Sequence, residues 1–362
     1  MKTKPTSMLA AGAAELAVAG PLPVVLCPPI RRIVTFHHNG LCELLFTLPA
    51  LHTLREAFPD AQICTVVRPG LAALLDDSPL VSELLTRPKG GLSEQATLMA
   101  RLAAGHCDIA LSFSPSRQCS LLAFATRAPV RIGYHGAKME SLLTHHVMPD
   151  GPFTIEAGLD LVRALGVAPR QLDYGGLLQL APEHSFSVNT MLHQQRIEGP
   201  FLVANVTGES GSGKQPIREW PLQSWALALG ELSRRWPIVL VGARPAPHVA
   251  EMLTVPCADF GGKLSLPQMA VLCGKAKLCL GTDGGIFHLA ATMQTPVVGL
   301  YGPTNWQETG PRGVAHRIVR QSMDCAPCLL EKCKFSGPDE RKCLTQLTPG
   351  QVVAAVRDLI GI

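Results

Sequence analysis

The sequence predicts an α/β protein of two facing Rossmann-like domains, each built on a parallel sheet, with a cleft between the domains. Three observations lead to this fold class. Short apolar segments alternate with helix-like segments from residue 31 to residue 165, and the alternation starts again at residue 201. At roughly 150 residues per domain, 362 residues are enough for about two domains. Hydrophobic residues make up 47% of the chain, as expected where strands are buried on both faces.

The composition excludes several classes of protein. Charged residues make up only 17% of the chain, against about 25% in a typical globular domain, which excludes a largely disordered chain. No uninterrupted apolar run approaches the ~20 residues that a membrane-spanning helix needs. The net charge of +4, from 32 basic and 28 acidic residues, is too small to predict a nucleic-acid partner. It is compatible with an anionic substrate or a lipid surface.

The first domain is predicted at 31–184, after a poorly structured leader at 1–30. A signal peptide is disfavoured there, because Glu15 interrupts the apolar stretch and several prolines follow it. The elements predicted in this domain are strands at 32–36, 61–68, 107–113 and 130–133, and helices at 43–58, 71–75 and 155–165.

A linker at 185–199, with a helical piece at 188–197, is predicted to lead into the second domain at 200–347, and a closing helix at 348–362 ends the chain. Ligands of such folds bind at the carboxyl ends of the strands, so the cleft between the domains is the expected site. The elements predicted in the second domain are strands at 201–206, 237–242, 278–280 and 296–301, and helices at 222–235, 266–273 and 286–293.

The first glycine-rich loop, GESGSGK, runs from Gly208 to Lys214 and has the spacing of a P-loop. A nucleotide triphosphatase is therefore one alternative. Against it, Gln215 stands where a P-loop has Ser or Thr, so the hydroxyl ligand of Mg²⁺ is missing. Pro216 also disfavours a helix running through Gln215. The alternative interpretation is a flexible glycine loop at the end of a strand, where the loop still contacts phosphate.

The second glycine-rich loop lies within the segment LCLGTDGGIFHLAA, where a strand ends and a helix begins. Thr282 or Asp283 is expected to cap that helix. Gly284 and Gly285 let the backbone approach a ligand closely, and the amides and dipole of the helix start suit a diphosphate. His288 lies one turn into the helix. A single histidine in a helix is more often a packed core residue than a ligand.

Four of the twelve cysteines form a cluster with the spacing C-x2-C-x4-C-x9-C, while the others are scattered singly as small buried hydrophobic residues are. Four thiols so close in sequence can form a tetrahedral site for zinc or iron. Two disulfides or four reduced structural thiols are the alternatives. The cluster consists of Cys325, Cys328, Cys333 and Cys343.

Four segments in order resemble glycosyltransferase family 9, the heptosyltransferases, and together they cover about residues 31–362. In the donor-binding signature, Asp283, Gly285 and His288 match the family pattern, while Gly284 replaces a hydroxyl residue. Arg218 stands at the family's lysine position. The four segments read NGLCELLFTLPALHTLREAFPDAQICTVVRP, RIGYHGAKMESLLTHHV, REWPLQSWALALGEL and GTDGGIFHLAATMQTPVVGLYGPTN.

The resemblance implies the GT-B architecture and transfer of a heptose from a nucleotide sugar, normally ADP-heptose, to the inner core of lipopolysaccharide. The transfer would proceed with inversion and without a catalytic metal. The protein would be cytoplasmic, and peripheral contact with the inner membrane is compatible with this function. Thr207 and Gly208 would line the diphosphate, and Arg218 would neutralise it. The turn from Thr282 to Gly285 would hold sugar and phosphate, with His288 beside it.

An inverting reaction needs a base for the acceptor hydroxyl, and the family places an Asp after a Gly in the first loop. Here those positions are Cys42 and Glu43. Glu43 is the predicted base, although a misplacement of about 1 Å can cost on the order of a hundredfold in rate. The alternative role for Glu43 is a first-turn acid favoured by the helix dipole.

Two alternatives to this function stay open. The acceptor could be a protein or another glycan, or the chain could be a nucleotide-sugar-binding relative with weakened catalysis. An anionic acceptor would suit basic groups on the first domain, each of which could equally be a solvated surface residue. These groups are His37, His38, Arg55, Arg68 and Lys138.

Overall fold

A computed structural model describes most of the chain and contains two parallel sheets flanked by helices. The leader, apart from a few residues, and the glycine loop at 208–214 lie outside the described residues. The described residues are 18–19, 26, 29–37, 40–88, 90–148, 154–207, 217–253 and 257–361.

In the described part of the chain, the first sheet has seven strands. They are β1 (Val18–Ala19), β2 (Arg32–Phe36), β3 (Gln62–Val67), β4 (Glu83–Thr86), β5 (Ile109–Ser112), β6 (Val130–Tyr134) and β7 (His145–Val147). Their order across the sheet is β1-β7-β6-β5-β2-β3-β4. The leader strand β1 pairs antiparallel with β7 at one edge, and the other pairings are parallel.

The second sheet has six strands, and each of its pairings is parallel. Their order across the sheet is β10-β9-β8-β11-β12-β13. Every residue of β8, β9, β11 and β12 is buried, because helices cover both faces. The strands are β8 (Leu202–Thr207), β9 (Ile238–Gly242), β10 (Cys257–Asp259), β11 (Leu278–Thr282), β12 (Val297–Tyr301) and β13 (His316–Arg320).

Helices connect the strands on both sheets. Ser265 and Thr348 begin α10 and α14 with capping boxes, and a proline stands in the first turn of each. Among the described residues, no helix is long and apolar enough to cross a membrane. The helices are α1 (Leu41–Phe46), α2 (Leu48–Ala57), α3 (Pro69–Ala72), α4 (Leu92–Ala104), α5 (Arg117–Ala125), α6 (Ile155–Arg163), α7 (Pro182–Gln194), α8 (Leu222–Leu232), α9 (Pro247–Met252), α10 (Leu266–Lys275), α11 (Gly285–Thr292), α12 (Trp306–Thr309), α13 (Lys342–Thr345) and α14 (Pro349–Ile360).

The single helix expected at 43–58 is two helices, α1 and α2, which meet at Thr47. Pro49 follows the break, and proline has no N–H to donate to the carbonyl of Leu45 one turn back. The Thr47 hydroxyl instead donates to Leu44 O at 2.7 Å. The break lets α1 point its first turn into the cleft independently of α2.

The segment between the two sheets is already part of the packing of the second domain. The predicted linker at 185–199 overlaps α7, which lies against α10, and Gln268 Nε2 donates to Ser187 Oγ at 2.8 Å. Tyr174, before α7, is fully buried and contacts His288 of α11.

Candidate active site

The cleft between the domains brings the starts of two helices together. Helix α1 follows β2 of the first sheet, and α11 follows β11 of the second. A Cβ added at Gly285 would lie 2.8 Å from Leu41 Cβ. Glycine is therefore required at this position, because any side chain would push the two domains apart.

A cavity of about 480 Å³ opens beside this contact, and its walls come from both domains. This is the interdomain cleft that the fold class predicts. Its second-domain wall is mostly apolar, and Arg68 contributes a cation from the first domain. The lining residues are Gly40, Leu41, Arg68, Gly70, Leu71, Gly242, Ala243, Gly262, Leu264, Leu266, Met269 and Ile286.

Asp283 is the buried anion of the site, with 6% of its surface exposed. Burial by itself would raise its pKa, but the hydrogen bond from His288 and the charge of Arg218 outweigh burial and lower the pKa below the usual range. The His288 Nε2 atom lies 3.2 Å from Asp283 Oδ1, and Arg218 Nη1 lies 3.6 Å from Oδ2. Asp283 is therefore an anion at neutral pH.

The expectation that Thr282 or Asp283 caps α11 is wrong. Gly284 is the N-cap residue, and none of the described side chains makes a capping hydrogen bond there. Asp283 is turned instead toward His288, and Thr282 is buried as the last residue of β11.

His288 is buried, as expected, but it is also hydrogen-bonded through both ring nitrogens. Its Nδ1 atom lies 3.0 Å from the hydroxyl of Tyr174. Phe46 and Phe287 pack edge-on against the ring, with centroid distances of 4.9 and 5.3 Å. Tyr174 was missed by the sequence analysis, because its contact with His288 spans 114 residues and no local pattern marks it.

The residues expected at the diphosphate have different surroundings. Thr207 is buried, and its hydroxyl donates to Arg244 O at 2.8 Å, so it joins the ends of β8 and β9. Gly208 lies outside the described residues. Arg218 is half-exposed at the exit of the glycine loop, and Glu219 beside it lies 3.5 Å from Arg244 Nη2.

Glu43 lies in the first turn of α1, and its carboxylate folds back over the start of its own helix. A Cβ added at Gly40 would lie 1.8 Å from Glu43 Oε2, so only glycine at residue 40 leaves room for this conformation. The conformation suits an acid that interacts with the helix dipole. To act as a base, the side chain would have to rotate toward an acceptor.

Two of the basic residues expected to meet an acceptor are structural, which corrects that expectation. His37 is fully buried between Thr35 and Thr47, and burial together with the charge of Arg87 lowers its pKa to about 3. It is therefore neutral. The guanidinium of Arg55 donates to two backbone carbonyls and to a serine hydroxyl. His38 lies outside the described residues.

The four clustered cysteines line one cavity of about 290 Å³, and each is a free thiol. The backbone N–H of Arg341 donates to Cys333 Sγ at 3.3 Å. Burial and the three neighbouring thiols raise the pKa of Cys343. In the part of the chain that the structure describes, no three His, Cys, Asp or Glu side chains are arranged to hold a metal ion.

The cysteine-containing segment at 323–347, here called the cysteine lobe, contacts two segments near the Asp283 turn. Leu329 N donates to Pro303 O, in the segment that follows β12, at 2.8 Å. Arg341 Nη1 also donates to Glu219 O at 3.1 Å, next to Arg218. The lobe therefore supports the segment that carries Arg218 and the segment that follows β12.

The profile of glycosyltransferase family 9 (heptosyltransferase) matches residues 96–337, which is more than half of the chain. The chain belongs to glycosyltransferase family 9. Lipopolysaccharide heptosyltransferase 2 of Escherichia coli K12 is 24% identical over 311 residues, covering 80% of this chain and 88% of that protein. Lipooligosaccharide heptosyltransferase 2 of Campylobacter jejuni is 21% identical over 333 residues, covering 88% of this chain and 95% of that protein.

Solved structures show that this glycosyltransferase has the GT-B fold. A glycosyltransferase family 9 protein from Veillonella parvula superposes with a TM-score of 0.77 at 21% identity, covering 91% of this chain and 97% of that one. The E. coli ADP-heptose lipopolysaccharide heptosyltransferase II superposes with a TM-score of 0.70 at 20% identity, covering 91% of this chain and 98% of that one.

Proposed function

We propose that this glycosyltransferase transfers a heptose from ADP-heptose to an acceptor of the lipopolysaccharide inner-core type, with inversion and without a catalytic metal. The observation that carries the proposal is the group of Asp283, Arg218 and the start of α11 at the carboxyl edge of the second sheet, where Ile286 of α11 lines the cleft. The relatives named above are lipopolysaccharide and lipooligosaccharide heptosyltransferases. Such an acceptor is anchored in a membrane, so we propose that the protein acts at the cytoplasmic side of the inner membrane.

The second-domain wall of the cleft suits a nucleotide sugar. Apolar side chains, among them Leu264 and Met269, offer a surface for a flat base. Arg218 and the amides at the start of α11 supply positive charge for the diphosphate. Fixed charge aimed at a departing diphosphate stabilises the transition state without a metal, because the negative charge develops on the leaving group.

The acceptor would enter from the first domain, on the side of α1. In the inverting step its hydroxyl proton passes to the carboxylate of Glu43, and the oxygen forms a bond to the anomeric carbon. The bond from that carbon to the diphosphate breaks, and ADP leaves with the electron pair. Glu43 must first rotate away from Gly40, and this rotation, together with the departures from the family pattern at Cys42, Glu43 and Gly284, favours weakened catalysis as the alternative.

The donor is tested by thermal shift and calorimetry with ADP, ADP-heptose, and UDP-, GDP- and CMP-sugars. A ligand that binds only the folded protein stabilises it by mass action. We expect stabilisation by the ADP compounds alone, and transfer of heptose to an inner-core acceptor in a separate assay. A clear shift with another sugar nucleotide would overturn the donor, whereas binding of ADP-heptose without transfer would favour the weakened relative.

We also propose a structural metal at the cysteine lobe, with no role in the transfer step. What supports it is that all four thiols line one cavity and that a backbone N–H donates to Cys333 Sγ. The arrangement is not yet a coordination shell, so the thiols would have to close around the ion. One equivalent of zinc or iron per chain of purified protein would support the proposal, and no metal after metal-replete growth would leave four structural thiols.

A further inference from the structure

A continuous chain of polar contacts runs from the segment that joins the domains to the cation of the donor site. The hydroxyl of Tyr174 lies 3.0 Å from His288 Nδ1, and His288 Nε2 lies 3.2 Å from Asp283 Oδ1. Arg218 Nη1 then lies 3.6 Å from Asp283 Oδ2. Tyr174, His288 and Asp283 expose only 0%, 1% and 6% of their surface, so water cannot replace a lost partner.

These polar contacts determine which nitrogen of His288 carries a hydrogen. An ionised Asp283 can only accept, so His288 must donate from Nε2. The Nδ1 atom of a neutral imidazole is then an acceptor, and it needs a donor inside the protein. Tyr174 is that donor, and a backbone hydrogen bond from Arg312 reaches the oxygen of the same hydroxyl. The other tautomer would point a lone pair at the Asp283 carboxylate.

Tyr174 and His288 also contact the first domain. The ring of Phe46, in α1, is nearly parallel to that of Tyr174 at a centroid distance of 6.0 Å and meets His288 edge-on. The same short helix carries Glu43 in its first turn. Tyr174 therefore packs where the first domain, the joining segment and the donor turn meet.

We infer that Tyr174 is a positioning residue for donor binding: its hydroxyl donates to Nδ1 and holds the His288 ring in the orientation in which Nε2 donates to Asp283, and Asp283 in turn holds Arg218. This inference rests on the proposed donor. Tyr174 touches none of the reacting atoms and acts only through His288. The hydroxyl is the part that matters, since the ring packing against Phe46 survives without it.

The experiment compares Tyr174→Phe with Tyr134→Phe, which also removes the hydroxyl of a buried tyrosine but lies in the first sheet. ADP is the probe, and its affinity is measured by calorimetry on the full chain. We expect Tyr174→Phe to weaken ADP binding about five- to tenfold, as for one lost hydrogen bond in a buried network, and Tyr134→Phe to leave it unchanged. Unchanged ADP affinity in a folded Tyr174→Phe protein would overturn the inference.

A double-mutant cycle separates positioning from simple packing. In His288→Gln, the amide can donate to Asp283 without choosing between tautomers, so Tyr174→Phe should add little further loss of ADP affinity. Equal losses in both backgrounds would overturn the inference. The ¹⁵N shifts of His288 give a readout that needs no ligand: the Nδ1 resonance should move in Tyr174→Phe, which removes the hydrogen bond to that atom, and should keep its parent position in Tyr134→Phe. If ADP does not bind the parent at all, the proposed donor fails, while the ¹⁵N signature still reports on Tyr174.

Discussion

Glu43 is the residue on which the proposed transfer step depends most. Glu43→Gln keeps the shape of the side chain but cannot accept a proton from the acceptor. We expect its kcat to fall at least about a hundredfold, the range of a lost general base, while ADP affinity stays the same. Steady-state assays with saturating donor, together with calorimetry for ADP, measure the two quantities separately.

The matched control is Glu183→Gln, because Glu183 also lies in the first turn of a helix, α7, but on the second domain. It should leave transfer unchanged. Glu43→Asp restores the carboxylate that the family pattern has and should keep part of the activity. If Glu43→Gln transfers heptose at the parent rate, Glu43 is not the base and only interacts favourably with the dipole of α1.

His37 makes the stability of the first domain depend on pH. Its pKa is about 3 in the folded protein and 6.5 when unperturbed, so below pH 6.5 the unfolded chain takes up a proton that the folded protein excludes. The stability from neutral His37 is therefore complete above pH 6.5 and decreases by about 1.4 kcal/mol per pH unit as the pH falls toward 3. Urea unfolding at pH 7, 6, 5 and 4 measures the slope.

His37→Gln should remove that part of the slope, whatever it does to stability at pH 7. His193→Gln is the control, because His193 is an exposed residue near the end of α7. The control should unfold with the parent's pH dependence. A parent slope that persists in His37→Gln would mean that other groups cause the acid sensitivity.

At the scale of elements, the contact between α1 and α11 sets how closely the domains approach. Gly285→Ala places a Cβ 2.8 Å from Leu41 Cβ, where no real pair of such atoms fits. We expect a weaker affinity for ADP and a lower kcat, because the walls of the cleft separate. The double variant Gly285→Ala, Leu41→Gly should recover part of both, since glycine at residue 41 removes the Cβ that the new methyl group meets.

Gly350→Ala is the control for the element prediction. Gly350 lies in the first turn of α14, and a Cβ there would meet no atom within 4 Å. Alanine should therefore leave activity unchanged and add up to about 1 kcal/mol of stability through helix propensity. If Gly285→Ala behaves as Gly350→Ala does, the contact with Leu41 does not set the width of the cleft.

The elements also show what local sequence can and cannot predict. Strands β8, β9 and β12 were predicted because they are continuous apolar runs bounded by polar segments. The edge strands β4 and β13 were missed, since ELLT and HRIVR carry charges that an edge exposes to solvent. The helices α4 and α5 were missed as well, because their polar faces hide the period of the buried residues.

The candidate site follows the same division. Asp283, Gly285 and His288 were predicted together because they stand in one loop and one helix turn. Tyr174 and Phe46 were missed, because each meets His288 only through the folding of distant segments. The basic residues His37 and Arg55 were misjudged because burial, which the sequence does not show, decides whether such a side chain faces a ligand.

At the scale of the whole molecule, the cysteine lobe joins the end of the chain to the donor site. Arg341 donates to Glu219 O, and Trp220 Nε1 donates to Leu347 O at 3.1 Å, so the segment carrying Arg218 is held from the lobe. On the other side, a Cβ at Gly302 would lie 3.0 Å from Cys343 Sγ. A substitution in the lobe should therefore alter the affinity for the proposed donor, although the substituted residue makes no contact with the donor.

Arg341→Ala tests this coupling, since it removes the contact to Glu219 O and leaves Arg218 in place. We expect ADP affinity to fall about three- to tenfold, part of what one hydrogen bond from a charged group contributes, with kcat at saturating donor nearly unchanged. Lys342→Ala is the control, because it removes the same charge from the same lobe, where Lys342 pairs with Asp339. Equal losses in the two variants would point to long-range charge, and no loss in Arg341→Ala would mean that the lobe and the donor site are independent.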